Sequence, residues 1–213
     1  MKTNATMGMP QGSAARDALK WLLSPLVMTR GPRGRIYLTF DDGPTPDSTQ
    51  YILDVLDAYE AKATFFMVGT LMDRHPAVAA DVLSRGHTVG YHSYKHLHAG
   101  QYSIRGSIAD LETIWSRPGW PRGALRLYRP PYGELTSVRV LWCLAHGIKV
   151  AMWSLDSLDS ITQSADALAQ RLSADTVRDG EVILFHDDSK ITAEALPQIL
   201  LNLRNAGFTF AAL

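Results

Sequence analysis

The chain has 213 residues, 46% of them hydrophobic and 20% charged, which suits one domain with a complete core. Its 21 Lys and Arg balance its 21 Asp and Glu. The basic excess that a nucleic-acid or anionic-membrane partner requires is therefore missing, and neither partner is expected. A single cysteine, Cys143, excludes an internal disulfide; its place in the apolar run Val140-Leu141-Trp142-Cys143-Leu144 marks it as a core residue rather than a nucleophile.

Residues 1–13 read as disordered. Leu19, Leu22, Leu23 and Leu26 follow helical spacing and predict a short amphipathic helix docked on the domain. Residues 1–34 are thus read as an N-terminal extension and residues 35–213 as the folded domain. The apolar run Trp21–Met28 is too short to span a membrane, is interrupted by Pro25, and is followed by no clean cleavage site. A cytoplasmic monomer is the expectation, with a peripheral or extracellular location as the alternative.

Short apolar runs predict strands at Arg35–Thr39, Thr64–Val68, His87–Gly90, Leu125–Tyr128, Ile148–Trp153, Val182–Phe185 and Phe208–Ala211. Helical patterns lie between most of them, at Asp47–Tyr59, Pro76–Ser84, Ser103–Trp115, Thr136–His146, Ala165–Val177 and Ala193–Asn205. Asp47 is a candidate cap, and Gly86, Gly147, Gly180 and Gly207 fit helix exits. Seven strands alternating with helices imply parallel pairing with right-handed crossovers. A closed or slightly open α/β barrel fits best, with an open doubly wound sheet second. A barrel places functional groups just after its strands, on one rim. Asp41 and Asp42 follow the first predicted strand, His92 and His96 the third, Arg129 the fourth, Asp156 the fifth and His186 the sixth.

These rim residues form a constellation. Asp42, His92 and His96 are a two-His, one-carboxylate set suited to a divalent metal with open positions for water and substrate. Zinc is the default; cobalt, nickel and iron suit the same ligands. The i, i+4 spacing of His92 and His96 predicts one helical face, and the competing reading is a pair of polar helix-start residues. Asp41 is the candidate general base, or else a strand-end turn cap. Arg129 could pair with Asp41, and the stiff turn Pro130-Pro131-Tyr132-Gly133 could aim a backbone N–H at an oxyanion, or be only a rigid loop. His186 suits a general acid, and Asp156 could hydrogen-bond its imidazole and raise its pKa. His98 lies near the metal motif but shares no helical face with His96. Trp115 and Trp120 flank a Pro/Gly-rich segment, where an exposed Trp120 could stack on a sugar ring or pin the loop to the barrel.

Five segments in this order resemble the motifs of the NodB-homology polysaccharide deacetylases, carbohydrate esterase family four. They are Thr39-Phe40-Asp41-Asp42-Gly43-Pro44, His92-Ser93-Tyr94-Lys95-His96, Arg129-Pro130-Pro131-Tyr132-Gly133, Asp156-Ser157-Leu158-Asp159 and Leu184-Phe185-His186-Asp187. The resemblance runs from about Arg35 to the C-terminus and is greatest to the chitooligosaccharide deacetylases. It implies a distorted (β/α)7 barrel. It implies Asp41 as base, Asp42, His92 and His96 as metal ligands, and His186 as acid. It further implies that Arg129 braces Asp41, Asp156 tunes His186, the Tyr132 N–H holds the oxyanion, and Leu184 lines the acetyl pocket. Where the family usually has Trp after the second Asp of the fourth motif, this chain has Ser160, which bears on the groove wall more than on the chemistry.

The expected activity is metal-dependent removal of N-acetyl groups from oligo- or polysaccharides containing N-acetylglucosamine. An acetylxylan-type O-deacetylase, an amidase or deformylase on a non-polymeric substrate, and an inactive sugar-binding protein are the alternatives.

Overall fold

The computed structural model describes residues 26–115 and 126–213. The predicted N-terminal helix, apart from Leu26, and Trp120 lie outside the described residues. Nine strands are described: β1 (Val27–Met28), β2 (Ile36–Asp41), β3 (Thr64–Met67), β4 (Thr88–Tyr91), β5 (Leu127–Tyr128), β6 (Lys149–Ala151), β7 (Leu155–Asp156), β8 (Val182–His186) and β9 (Phe210–Ala211). They form one parallel sheet in the order β1-β6-β5-β4-β3-β2-β8-β7, with β9 pairing the start of β2.

The sheet is curled almost into a barrel. β6 lies beside one end strand and β7 is the other, yet only Met152, Trp153 and Ser154 connect them. Four residue steps reach at most about 14 Å, so the two ends of the sheet must approach one another. The crossing chain is tied to both sides: Met152 N donates to Met28 O and Ser154 N to Val182 O. The predicted strand Ile148–Trp153 therefore ends at Ala151. Strands β1 and β7, of two residues each, carry too few residues for a periodic signal and are missing from the sequence reading.

All six residues of β2 are buried, as expected for a parallel strand covered on both faces. Alternation sorts them. Ile36, Leu38 and Phe40 join Phe65, Ile183, Phe185 and the helices Pro46–Ala58 and Lys190–Asn205 in the main core. Tyr37, Thr39 and Asp41 face the barrel interior.

Helix positions follow the predicted ones closely, and the differences have local causes. The first long helix is Pro46–Ala58, with Thr45 rather than Asp47 at the cap; Pro46 occupies the first turn, where its missing N–H costs nothing, and Asp47 sits beside it. The helix at Lys190–Asn205 starts three residues before the predicted Ala193, because Ser189 accepts from the Thr192 amide. The predicted Ala165–Val177 helix ends at Arg171, and Gly180 therefore enters a strand instead of leaving a helix. Among the described residues no helix is long and apolar enough to cross a membrane.

Candidate active site

The candidate residues converge at the C-terminal ends of the parallel strands. Register accounts for the first pair: Asp41, last in β2, is directly opposite His186, last in β8. Two residues back on the same faces are Thr39 and Leu184, and Leu184 is 4% exposed.

Arg129 organises the interior. It is fully buried, and its guanidinium donates to Asp41 Oδ1 at 2.7 Å, Thr39 Oγ1 at 2.8 Å, Ala151 O at 3.1 Å and Met152 O at 2.8 Å. It also lies 4.0 Å over the Phe66 ring. Burial lowers the Arg129 pKa below its ordinary value, while the Asp41 charge and hydrogen bond pull it back up. The predicted Arg129–Asp41 pair is therefore present and desolvated. The backbone of Arg129 has a second use, which the sequence reading missed: its carbonyl lies 2.9 Å from His92 Nδ1.

That contact assigns a proton. A carbonyl only accepts, so His92 carries a hydrogen on Nδ1, which leaves Nε2 as the ring nitrogen available to a metal. Nε2 faces Asp42 Oδ1 at 3.3 Å, and His96 Nε2 faces the same oxygen at 2.9 Å. Asp42 Oδ1 is buried and accepts no hydrogen bond. One ligand atom from each of Asp42, His92 and His96 lies within 4.8 Å of the others. Two imidazole nitrogens and a buried carboxylate oxygen converging on one point are the donor set a divalent metal takes, so the set fits such an ion.

The ligand loop is not the predicted helix. Residues 92–98 are irregular, and Ser93 and His96 have φ of 63° and 52°. Ser93 Oγ accepts from the His96 amide at 2.8 Å, folding the loop so that both rings meet, with centroids 5.0 Å apart. Asp42 likewise has φ 71°, which turns its side chain out of the strand alternation, so that adjacent Asp41 and Asp42 both serve one site. Gly43 follows because no side chain fits there: a Cβ would lie 1.7 Å from Asp187 Oδ2.

His186 has a different partner from the predicted one. Asp159, not Asp156, accepts from its ring Nδ1 at 2.7 Å and from its backbone N–H at 2.8 Å. Asp156 is spent on the turn: its Oδ1 accepts from the Leu158 amide at 2.9 Å, and its carbonyl accepts from Arg171. With Leu158 at φ 60°, this turn swings Asp159 beneath β8, where it is 3% exposed. Burial disfavours a charged His186, but the hydrogen bond and charge of Asp159, then the charges of Asp42 and Asp41, outweigh it and push its pKa up to about 9. Tyr132 is 53% exposed, in a short 3₁₀ turn (Pro131–Gly133), with φ 56°.

Residues 29–151 match the family model for polysaccharide deacetylases. The chain belongs to the polysaccharide deacetylase family. This deacetylase is 32% identical over 183 residues to a peptidoglycan-N-acetylglucosamine deacetylase of Bacillus cereus, covering 82% of this chain and 84% of that protein. It is 32% identical over 195 residues to a chitooligosaccharide deacetylase of Sinorhizobium fredii, covering 84% and 89%. Among solved structures, the family 4 carbohydrate esterase from Streptomyces lividans in complex with acetate is similar at a TM-score of 0.76 and 32% identity, covering 83% of this chain and 91% of that one. The curled parallel sheet is the barrel expected of the NodB-homology type.

One residue of the fifth motif, Asp187, was given no role by the sequence. Asp187 follows His186 and is fully buried. Its Oδ2 accepts from Thr49 Oγ1 at 2.6 Å, its amide donates to Asp41 O at 2.8 Å, and its Oδ1 has no partner. Burial pushes its pKa up to about 7; the hydrogen bonds from Thr49 and the Thr45 amide oppose this, and the charges of Asp188 and Asp42 add to it. Its approach to Gly43 had no signal in the sequence, because nothing in the spacing joins positions 43 and 187.

Proposed function

We propose that this chain is a zinc-dependent deacetylase that removes N-acetyl groups from oligo- or polysaccharides containing N-acetylglucosamine, releasing acetate. The observation that carries this reading is the cation-demanding cluster of Asp42, His92 and His96, which opens beside the Asp41–Arg129 pair and the His186–Asp159 pair. Two of the relatives are named as deacetylases of such sugars.

A divalent ion held by Asp42, His92 and His96 would supply polarisation of the acetyl carbonyl and a lowered pKa for water. Asp41, oriented by its hydrogen bond from Arg129, takes a proton from the attacking water. The water oxygen bonds to the carbonyl carbon, and the carbonyl oxygen becomes an oxyanion. The Tyr132 N–H donates a hydrogen bond to it. Leu184, on the interior face two residues before His186, bounds the space for the acetyl methyl. His186 is protonated at neutral pH because its pKa lies near 9. It gives its proton to the amide nitrogen as the C–N bond breaks, since an amide anion is a very poor leaving group. The products are acetate and the free amine of a glucosamine unit.

The test is acetate release, measured in parallel on N-acetylglucosamine oligomers, peptidoglycan fragments and acetylxylan, with and without chelator. The expected result is release from the N-acetylated sugars, lost with chelator and restored by zinc. Release from acetylxylan alone, or release unaffected by chelator, overturns the reading.

A further inference from the structure

The ligand loop after β4 and the turn after β5 are joined by contacts that the chemistry above leaves unused. Glu134 closes the turn. Its Oε2 accepts from the Ala99 amide at 2.6 Å, and its Oε1 lies 3.0 Å from His98 Nδ1. The His98 ring lies flat on the Tyr132 ring, with centroids 3.7 Å apart and planes 13° from parallel. The same tyrosine ring meets His96 at 4.7 Å, and its hydroxyl donates to the His96 carbonyl at 3.4 Å. The His98 amide in turn donates to Gln101 Oε1 at 2.9 Å.

These contacts answer a problem posed by the turn itself. Tyr132 has φ 56° and Gly133 has φ 64°. Tyrosine rarely adopts that conformation, and such a residue persists only where its surroundings hold it. Core packing does not hold Tyr132, which is more than half exposed. The turn is closed by its own backbone bonds, Gly133 N to Pro130 O at 3.2 Å and Glu134 N to Pro131 O at 3.0 Å, and it is fixed against the facing loop by Glu134, which grips that loop with both oxygens, and by His98, which covers the ring.

The geometry points to His98 and Glu134 as a latch: positioning residues that hold the Tyr132 backbone N–H at the reacting carbonyl. The inference rests on the reading of that N–H as the oxyanion donor. The latch touches the metal-ligand loop at His96, His98 and Ala99, but that loop also has anchors of its own, away from Glu134. Tyr94 N donates to Asp110 Oδ1 at 3.0 Å, Gly69 N to Ser93 O at 3.0 Å and Thr70 N to Tyr94 O at 2.9 Å. Nor is it a device for overall stability. The side chains of His98 and Glu134 are 54% and 39% exposed, and exposed pairs of this kind contribute little to folding.

The experiment compares zinc-loaded full-length protein with E134A, E134Q, H98A and the double variant on an N-acetylglucosamine oligomer. Hydrogen–deuterium exchange of the 129–135 segment and zinc affinity by chelator competition are measured alongside. For E134A, kcat is expected to fall about tenfold with KM within about twofold, since a shifted donor costs less than a deleted one. Zinc affinity and melting temperature stay close to those of the unmodified protein, and exchange in 129–135 accelerates. E134Q loses less, because one oxygen still accepts. The double variant is no worse than the worse single one, as expected of two residues acting through one contact. Unchanged kcat and exchange in E134A, multiplying losses in the double variant, or parallel loss of zinc affinity overturns the latch. Absence of acetate release by the unmodified protein overturns the deacetylase reading instead, and the exchange rates then decide the latch by themselves.

Discussion

The two faces of β2 are built on opposite rules. Outward, Ile36, Leu38 and Phe40 are packed under helices, with Phe40 stacked between Phe65 at 5.0 Å and Phe185 at 5.4 Å. Inward, Thr39 and Asp41 are just as buried, but each has a specific polar partner: Thr39 Oγ1 donates to Ile183 O at 2.7 Å, and Asp41 accepts from Arg129. Apolar contacts on the outer face tolerate another side chain of similar volume. The inner face tolerates almost none, because removing one partner strands the other without water. Stability and chemistry are thus interleaved along one strand with a period of two residues.

Substitution can separate the two faces. Phe40→Ala and Arg129→Met should each cost about 3–5 kcal/mol of folding stability, the first through a cavity and the second through an unpaired buried Asp41. Denaturant titration should give similar losses, yet activity per folded molecule should survive only in Phe40→Ala. Equal residual activity in the two variants would break the contrast.

A smaller effect tests the inner face alone. Asp159→Asn should lower kcat about a hundredfold and move the basic limb of the pH–rate profile to lower pH, because the pull that raises the His186 pKa to about 9 is weakened. Asp156→Asn should leave that limb in place. A larger shift for Asp156→Asn would restore the sequence-based pairing.

The smallest effect concerns stability against pH. Asp187 has a pKa of about 7 in the folded state, above the 3.8 of an ordinary aspartate. Its favourable contribution is full below pH 4 and is lost as pH rises towards 7 and beyond. Asp187→Asn, which mimics the protonated acid, should flatten melting temperature across this range. His186 carries the same sign higher up: its raised pKa gives stability that is full below about 6.5 and lost as pH rises through about 9. A slope between pH 4 and 7 that persists in Asp187→Asn would exclude that carboxyl as its source.

What the sequence revealed followed from periodicity and order. The parallel barrel, five of the six predicted helices within three residues at each end, and the collection of Asp41, Asp42, His92, His96, Arg129 and His186 on one rim were all legible. What was not legible depended on left-handed backbone. The His92–His96 spacing looked helical, whereas Ser93 and His96 fold the loop at positive φ. The fourth motif offered two aspartates, and the strand-end one looked better placed. It is the turn at Leu158, closed by the side chain of Asp156 itself, that delivers Asp159 to His186. The bond from the Arg129 carbonyl to His92 and the approach of Gly43 to Asp187 arise from tertiary contacts 37 and 144 positions apart, which no local pattern encodes.

Two of the four hydrogen bonds from the Arg129 guanidinium end on Ala151 and Met152, where the chain leaves β6 to cross to β7. The other two end on Thr39 and Asp41, 90 and 88 positions away in sequence. The same side chain therefore ties the seam of the barrel and orients Asp41. Closing the seam and placing Asp41 are coupled through one side chain, and both depend on contacts far apart in sequence, the kind that local structure alone does not secure. A partly unfolded molecule with its helices intact but its seam open would lack activity entirely, so loss of acetate release should precede loss of helical circular dichroism as denaturant is raised.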